Sequence, residues 1–336
     1  MNAPLAPTIR MDDIDRGLVD SFQRGVAIVA RPYAAIGEAL GVREEEVMTR
    51  LGRLIAAGAV SRFGAVVRPH AAGASTLAAL AAPPERLDAV AEIVSGFAGV
   101  THNYAREHDW SLWFVVTGRD AADVAATLAG IGRRTGLAVL DLPLERAYHI
   151  DLGFPMFGAP ATRTNVCACE ARADATDRAI LARIEGGLAL APRPFTPVAE
   201  ALGLDETTIL ARLGAMLDAG IITRFGVVVK HRAFGYRANA MAVWDIADEN
   251  VDAVAEIFAR EPAVTLCYRR PRRLPDWRYN LFCMIHATDR ANAMDVITRL
   301  RLQAGAPLRH QATLFSTRCY KQRGASFARV APEHAA

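Results

Sequence analysis

The sequence lacks long apolar runs, a secretion signal and a large net charge. No part of its 336 residues approaches the roughly 20 consecutive apolar residues that cross a bilayer. The start, Met1 to Asp12, does not have the basic and then apolar layout of a signal peptide. We therefore expect a cytoplasmic protein without a membrane partner. The formal net charge of +3 is too small to indicate a nucleic-acid partner by itself.

Cysteine is also scarce. The five cysteines are an odd and scattered set in a chain too large to depend on disulfides, which predicts reduced thiols. Only Cys167 and Cys169 are close together, and a C-x-C pair without a second pair or a nearby histidine is a weak metal signal. We predict no metal site formed by the protein itself.

The chain does contain an internal repeat. Residues 15–68 match residues 177–230 without a gap, at a constant offset of 162. Beyond this stretch the offset grows in steps, as loop insertions would make it grow, and Tyr104 matches Tyr268. A repeat of this kind indicates two related halves. We place the linker between them at residues 151–173, which are rich in glycine, proline and polar residues.

Each half changes its hydrophobic period midway. Apolar spacings of three and four predict three helices followed by one strand, a winged helix-turn-helix, at residues 10–70 and 174–232. The later part of each half, residues 71–150 and 233–325, is typical of a ferredoxin-like βαββαβ sheet with helices on one face. The expected fold class is α+β, and the fusion of two such halves predicts a pseudo-dimer in which the open sheet faces pair.

Two sets of motifs carry a family resemblance. The run from Ile36 to Gly64 and its copy from Val198 to Gly226 resemble the leucine-responsive and asparagine regulators (Lrp/AsnC). The whole layout is closer to the siroheme decarboxylases, which share it and work as paired or fused D-type and L-type subunits. The motifs similar to those enzymes are His102 to Asp109, Leu112 to Phe114, Lys230 to Tyr236, Cys267 to Pro271, Trp277 to Leu281 and Phe315 to Arg318.

The resemblance implies a specific reaction. It is the non-oxidative removal of two acetate carboxyl groups of siroheme, giving 12,18-didecarboxysiroheme for haem d1 biosynthesis. An alternative route to haem uses the same step, and the motifs leave both open. The implied partner is siroheme itself, with no cofactor beyond the iron of this substrate. A homodimer and contacts with other pathway proteins stay open.

Two other functions were weighed against this one. A fused transcriptional regulator would read DNA with the helices that start at Glu44 to Glu46 and at Asp205. Carboxylates at a helix start suit the helix dipole but repel a DNA backbone, so DNA binding is disfavoured. The third reading is a protein that binds a haem without acting on it.

The catalytic candidates are groups that can deliver a proton at neutral pH, because loss of carbon dioxide leaves carbanion character on a methylene carbon. They are His102 and His231, with Tyr104 and Tyr268 behind them. His102 is matched by Leu266 in the other half and His231 by Pro69, so the shared fold requires neither histidine. His149 and His286 are weaker candidates.

The substrate-binding candidates follow from the chemistry of the implied substrate. Eight carboxylates need guanidinium or ammonium partners, and a flat macrocycle needs aromatic walls. The pocket is expected between the paired sheets, with the stronger claim for the one that carries the arginine-rich loop after Tyr268. The residues are Arg106, Lys230, Arg232, Arg269, Arg270, Arg273, Trp113, Trp277, Asn280 and Arg318.

Overall fold

A computed structural model describes residues 10–23, 25–150 and 171–324. They divide into two compact units. The helical unit contains described residues up to 72 together with 171–235, and the sheet unit contains 73–150 together with 236–324. Most of the predicted linker, including Cys167 and Cys169, lies outside the described residues.

The first half supplies five helices and six strands in the described residues. They are α1 (Asp13–Ser21), α2 (Pro32–Leu40), α3 (Glu44–Ala56), β1 (Val60–Val67), β2 (Ala74–Leu80), α4 (Leu87–Gly96), β3 (Val100–Arg106), β4 (Leu112–Gly118), α5 (Ala121–Thr135), β5 (Val139–Pro143) and β6 (Arg146–Ile150).

The described part of the second half repeats this order. Its elements are α6 (Ala175–Ile184), α7 (Thr196–Leu202), α8 (Glu206–Asp218), β7 (Ile222–Val229), β8 (Ala238–Ile246), α9 (Val251–Phe258), β9 (Val264–Arg269), β10 (Leu281–Ala287), α10 (Arg290–Ala304) and β11 (Leu308–Gln322). No helix in the described ranges is long and apolar enough to span a membrane.

Local signals explain the helical unit. Asp12 caps α1 and Asp174 caps α6 through the same capping box, so the two copies begin alike. Gly41 ends α2 with a left-handed φ of 69°, and Gly203 ends α7 with a φ of 65°, which turns the chain toward the next helix. The single strand after each third helix does not form a hairpin within its own half. β1 instead pairs antiparallel with β7, with Gly64 opposite Gly226.

The acidic starts of α3 and α8 have partners inside the helical unit. Glu44 is buried and forms an ion pair with Arg31, and Glu206 forms the same pair with Arg193. Both pairs recur at the offset of the repeat, so the shared fold requires these two carboxylates. The acidic starts of these helices are therefore weaker evidence against DNA binding than the sequence alone suggested.

The sheet unit contains one nine-stranded sheet in the order β5-β2-β4-β3-β11-β8-β10-β9-β6. Each half contributes a βαββαβ motif, and the halves are joined where β11 pairs with β3. β6 likewise leaves its own half and pairs with β9. The two edge strands, β5 and β6, are separated in sequence only by Leu144 and Glu145. The sheet is therefore curled. The last strand of each half, β6 or β11, pairs with a strand of the other half.

Alternation along the strands separates two faces of this sheet. On β8, Ala242 and Trp244 face the core beneath α9 and α10, whereas Met241 and Val243 face the side without helices. We call that second side the open face. Its apolar residues from both halves form one cluster, which includes Leu140 and Leu142 of β5 together with Leu314 of β11. The expected pairing of the open faces is thus observed within a single curled sheet.

Each exchanged strand is anchored to a helix of the other half. The hydroxyl of Tyr148 on β6 donates to the carboxylate of Asp252 at the start of α9, and Arg146 forms an ion pair of 2.8 Å with the same group. On β11, Tyr320 donates to Asp88 at the start of α4, and Arg318 pairs with it at 2.8 Å. The predicted pseudo-dimer is stabilised by this repeated arrangement.

Candidate active site on the open face

Three predicted residues occupy alternate positions of β3. His102, Tyr104 and Arg106 all lie on the open face. The rings of His102 and Tyr104 are stacked with centroids 6.3 Å apart, and the guanidinium carbon of Arg106 lies 5.7 Å from the centre of the Tyr104 ring. The strand therefore aligns an imidazole, a phenol and a guanidinium in one row. Two of these groups can donate a proton and the third can hold a carboxylate.

Arg106 is buried and held by the second half. Its Nη1 donates to the backbone carbonyl of Leu314 at 3.0 Å and to Oδ1 of Asn239 at 3.4 Å. Its Nη2 also reaches that Oδ1, at 3.4 Å. Asn239 lies on β8 and faces His286 on β10, because the two residues are register partners. The Nδ2 atom of Asn239 is 3.0 Å from Nε2 of His286.

His286 continues this set of contacts. Its Nδ1 is 2.9 Å from the hydroxyl of Thr265, and that hydroxyl donates to the carbonyl of Met284 at 3.1 Å. Asn239, Thr265 and His286 are all buried. Buried polar groups that are joined in this way fix one another's orientation. The sequence placed His286 only among the weaker candidates and did not identify Asn239 or Thr265.

A usable signal for two of these residues was present in the repeat. By the strand registers, Asn239 corresponds to Ser75 and His286 to Thr117, since each pair stands opposite its partner in the same way. Both positions differ between the halves, which is the criterion that selected His102. Finding them required the pairing of β8 with β10, which the local pattern does not supply.

The corresponding row in the second half is Leu266 and Tyr268 of β9 with Arg270, the residue after this strand. Nη1 of Arg270 donates to the carbonyl of Leu142 at 2.5 Å, as Arg106 does to that of Leu314. The guanidinium carbon of Arg270 lies 5.4 Å from the Tyr268 ring centre and 5.8 Å from that of Phe282. Burial lowers the pKa of Arg270 to about 10 and raises the pKa of Tyr268.

Among the described residues, Arg270 lacks a side-chain acceptor like Asn239, which accepts from Arg106. Arg270 forms no ion pair with any carboxylate in the described chain, and its Nε is buried without a hydrogen-bond partner there. A buried guanidinium of this kind is costly unless an anion neutralises it. The position suits the carboxylate of a ligand.

Aromatic side chains surround this arginine on the open face. Trp277 is 1% exposed, and its ring lies 5.1 Å from Trp113, 4.9 Å from Tyr279 and 5.9 Å from Phe282. The indole Nε1 of Trp277 is buried without a partner among the described residues. The predicted aromatic wall is thus assembled from both halves and brings a second unsatisfied N–H donor with it.

Other predicted residues have structural contacts. The side chain of Asn280 accepts from the backbone N–H of Ile246 at 3.0 Å and donates to its carbonyl at 2.9 Å. Ser111 makes the same two contacts with Ala82 in the first half, at 3.2 and 2.9 Å. Asn280 therefore anchors the loop after β9 in the way the repeat requires. Arg318, exposed and paired with Asp88 on the helix-bearing side, corresponds to Arg146.

The arginine-rich loop is only partly directed to the open face. Arg269 is paired with Glu145 at 3.1 Å, and Arg272 with Asp245 at 2.7 Å. Arg273 is exposed, and its Nε donates to the carbonyl of Asp141 at 3.0 Å. Of this loop, Arg270 alone combines burial with the absence of an ion pair in the described residues.

The remaining predicted residues, Lys230, His231 and Arg232, belong to the helical unit. Lys230 and Arg232 are exposed, and the backbone N–H of Lys230 donates to the carbonyl of Ala59. His231 begins a short 3-10 turn that ends at Phe234. In the sheet unit, His286 contacts Asn239, which accepts from Arg106 of the β3 row.

The candidate site contains no evident metal centre of its own. Across residues 10–23, 25–150 and 171–324, no three histidine, cysteine or acidic side chains converge in a way that could hold a metal ion.

Comparison with known proteins defines the class of this arrangement. A family model for the AsnC-like ligand binding domain matches residues 72–149 and 233–321. A second model, for the helix-turn-helix domain of siroheme decarboxylases of the NirDL type, matches residues 15–60 and 177–222. Both models match each half once, so the class is a tandem AsnC-like protein with two helix-turn-helix domains.

Individual relatives narrow this class. The siroheme decarboxylase NirDL subunit of Paracoccus denitrificans is 47% identical over 96% of this chain and 99% of its own length. The siroheme decarboxylase NirD subunit of Pseudomonas aeruginosa is 54% identical over 44% of this chain and 97% of its own. The chain belongs to the siroheme decarboxylase NirDL family.

Solved structures agree with this assignment. The crystal structure of a siroheme decarboxylase NirDL superposes with a TM-score of 0.69 at 25% identity, covering 94% of this chain and 95% of the other. A second structure of NirDL, in co-complex with an iron-uroporphyrin III analogue, gives a TM-score of 0.67 at 25% identity over 94% of both chains. The fused two-half layout predicted from the repeat is therefore confirmed.

Proposed function

We propose that this chain is a carboxy-lyase that removes two acetate carboxyl groups of siroheme as carbon dioxide, giving 12,18-didecarboxysiroheme. The D-type and L-type character of its halves leads us to assign the step to haem d1 biosynthesis. The observation that carries the proposal is Arg270, a buried guanidinium without a carboxylate partner in the described chain, beside an aromatic cluster on the open face. An apolar, aromatic surface with a cation in it suits a flat macrocycle with carboxylate arms.

The chemistry that the chain must perform is limited. Breaking the bond between the acetate methylene and its carboxyl carbon leaves an electron pair on the methylene carbon. The conjugated macrocycle can spread this charge, and a proton must then reach that carbon to give a methyl group. Tyr104 and His102 can supply this proton from neighbouring positions of β3.

Two arginines would each bind one carboxylate arm of the substrate. Arg270 would hold an arm that orients the ring, since it has no competing anion in the described residues. Arg106 lies beside Tyr104 and would hold the arm that reacts. Trp113 and Trp277 exclude water around these groups, which strengthens each charge interaction.

The decisive experiment is anaerobic incubation of the full chain with siroheme, following product mass. We expect the loss of two carboxyl groups as carbon dioxide, and His102→Ala should reduce turnover far more than binding. Arg270→Ala should mainly weaken binding, which is measured by titrating the absorption band of siroheme. Binding with unchanged substrate mass would refute the enzyme and favour a haem-binding protein.

A further inference from the structure

A continuous series of polar and aromatic contacts joins two histidines of the sheet unit, His286 and His102. It runs from Thr265 through His286 and Asn239 to Arg106 with separations of 2.9, 3.0 and 3.4 Å. From Arg106 it continues over the Tyr104 ring at 5.7 Å, as described above, to the stacked ring of His102.

His102, at one end of the series, contacts a threonine as His286 does near the other end. Nδ1 of His102 lies 3.1 Å from the hydroxyl of Thr101, which donates to the carbonyl of Val115 at 3.4 Å. Thr265 makes the matching bond to Met284 in the second half. Each histidine is thus placed against an equivalent threonine, although the two histidines come from different strands.

The open face around Arg270 lacks this series. Leu266 stands where His102 stands in the other half, and Ser75 and Thr117 stand where Asn239 and His286 stand. Arg270 instead contacts a backbone carbonyl and two rings. The two related arginines therefore have different supports.

The directions of the hydrogen bonds around His286 indicate which of its ring nitrogens carries the proton. Arg106 can only donate, so the atom of Asn239 that faces it is the oxygen, and the amide NH₂ faces His286. Nε2 of His286 must then accept. The Thr265 hydroxyl gives its hydrogen to Met284, so it accepts from Nδ1. These contacts together are satisfied by a neutral His286 with its proton on Nδ1.

We propose that Asn239 is a positioning residue of the reaction, holding Arg106 in place beside Tyr104 and His102 while His286 and Thr265 fix the orientation of the Asn239 amide. The function of this residue rests on the proposed decarboxylation, although its geometry does not. Without the amide oxygen, Arg106 loses both of its 3.4 Å contacts with Asn239, and its guanidinium can turn away from the phenol. A carboxylate bound to it would then lie out of line with the proton donors.

The chain offers graded variants for a test. Asn239→Asp keeps an acceptor for Arg106, and Asn239→Leu keeps the volume but removes the polar contacts with Arg106, His286 and Ser316. Because a hydrogen bond to a charged group stabilises its position appreciably, we expect Asn239→Leu to lower kcat by about tenfold or more with a smaller change in KM. Asn239→Asp should retain most of kcat. Equal kcat for the two variants, or an unchanged kcat in Asn239→Leu, would overturn the proposal.

The matched control is in the other half. Ser75→Ala and Thr117→Val change the counterparts of Asn239 and His286, and we expect turnover to be unchanged. If they reduce kcat as much as Asn239→Leu does, the effect is a general property of the sheet and the positioning role is refuted. Should Asn239→Leu not fold, judged by its thermal unfolding, Asn239→Ala replaces it, since alanine also removes the acceptor for Arg106.

A spectroscopic measurement tests the geometry without turnover. In the protein labelled with nitrogen-15 at histidine, we expect His286, assigned through His286→Gln, to show a protonated Nδ1 and an unprotonated Nε2. A proton on Nε2 at neutral pH would contradict the proposed contacts. If this tautomer is found but siroheme is not decarboxylated, the proposed function fails and the placement of Arg106 stands.

Discussion

Replacing Arg270 by methionine removes a buried charge that no carboxylate of the described chain neutralises. Burial lowers the pKa of Arg270 from 12.5 to about 10. At about 1.4 kcal/mol for each pKa unit, keeping this group charged costs the folded state about 3 kcal/mol. Below pH 10 the group is charged in both states, so the cost is constant near neutrality. It decreases only as the pH rises above the folded pKa.

The same substitution also removes favourable contacts. The hydrogen bond to the Leu142 carbonyl contributes about 1.5 kcal/mol, and the contacts with the Tyr268 and Phe282 rings together contribute about 0.5–1 kcal/mol. The difference leaves Arg270→Met more stable than the parent by about 1 kcal/mol. Urea unfolding without ligand should show this gain as a higher midpoint with an unchanged slope.

The related arginine provides the control. Arg106→Met removes the donor to the Leu314 carbonyl and one of the two side chains that donate to the Asn239 oxygen, the other being Ser316, so we expect a loss of about 1.5–3 kcal/mol. Siroheme should stabilise the parent against unfolding, and this gain should largely disappear in Arg270→Met. If Arg270→Met loses more than about 2 kcal/mol without ligand, Arg270 has a structural role and the anion-binding argument fails.

Four other substitutions test further contacts of the sheet unit. Asn280→Ala and Ser111→Ala each remove two hydrogen bonds to one backbone position, and both should destabilise the chain by about 1–3 kcal/mol in urea unfolding. Siroheme affinity of the folded protein should be preserved. Normal stability with weakened affinity would instead indicate that Asn280 binds the substrate. Hydrogen bonds from Tyr320 and Arg318 lower the pKa of Asp88, so this contribution to stability is present at neutral pH and lost as the pH falls through the folded pKa. Asp88→Asn should therefore have a lower thermal midpoint at pH 7 and approach the parent in acid, and a constant difference would count against this anchor. Trp277→Phe keeps an aromatic ring but removes an unsatisfied buried N–H, so stability should change by less than about 1 kcal/mol, while quenching of tryptophan fluorescence by siroheme should decrease.

The sequence predicted the order of elements well because each half is locally consistent. Val60–Val67 and Ala238–Ile246 form strands, and flanking turns mark the ends of these apolar segments. The apolar spacing of the third helix starts at Val42, but α3 begins at Glu44. Val42 and Arg43 belong to the turn that follows Gly41, which apolar spacing alone does not distinguish from a helix.

Long-range pairing could not be predicted in the same way. Nothing local in Arg146–Ile150 shows that this strand pairs with β9, because the partner lies beyond an entire helical segment. The candidate site suffered from the same limit. His102 and Tyr104 are candidates from the sequence because they are proton donors within one motif similar to the siroheme decarboxylases, whereas Asn239 and His286 meet only through the register of β8 with β10. The sequence favours His231 over His286 because His231 lies in another of these motifs and is matched by Pro69 in the first half.

The exchange of last strands between the halves has a consequence for synthesis of the chain. When the first half has left the ribosome, β6 and β3 still lack their partners, because β9 and β11 are made only after the second helical segment. Unpaired strand edges attract other chains, and nascent domains fold in order from the N-terminus. Covalent fusion presents each partner strand at a high effective concentration as soon as it is translated. The joined halves therefore spend less time with exposed edges than two separately made subunits, which must find each other by diffusion.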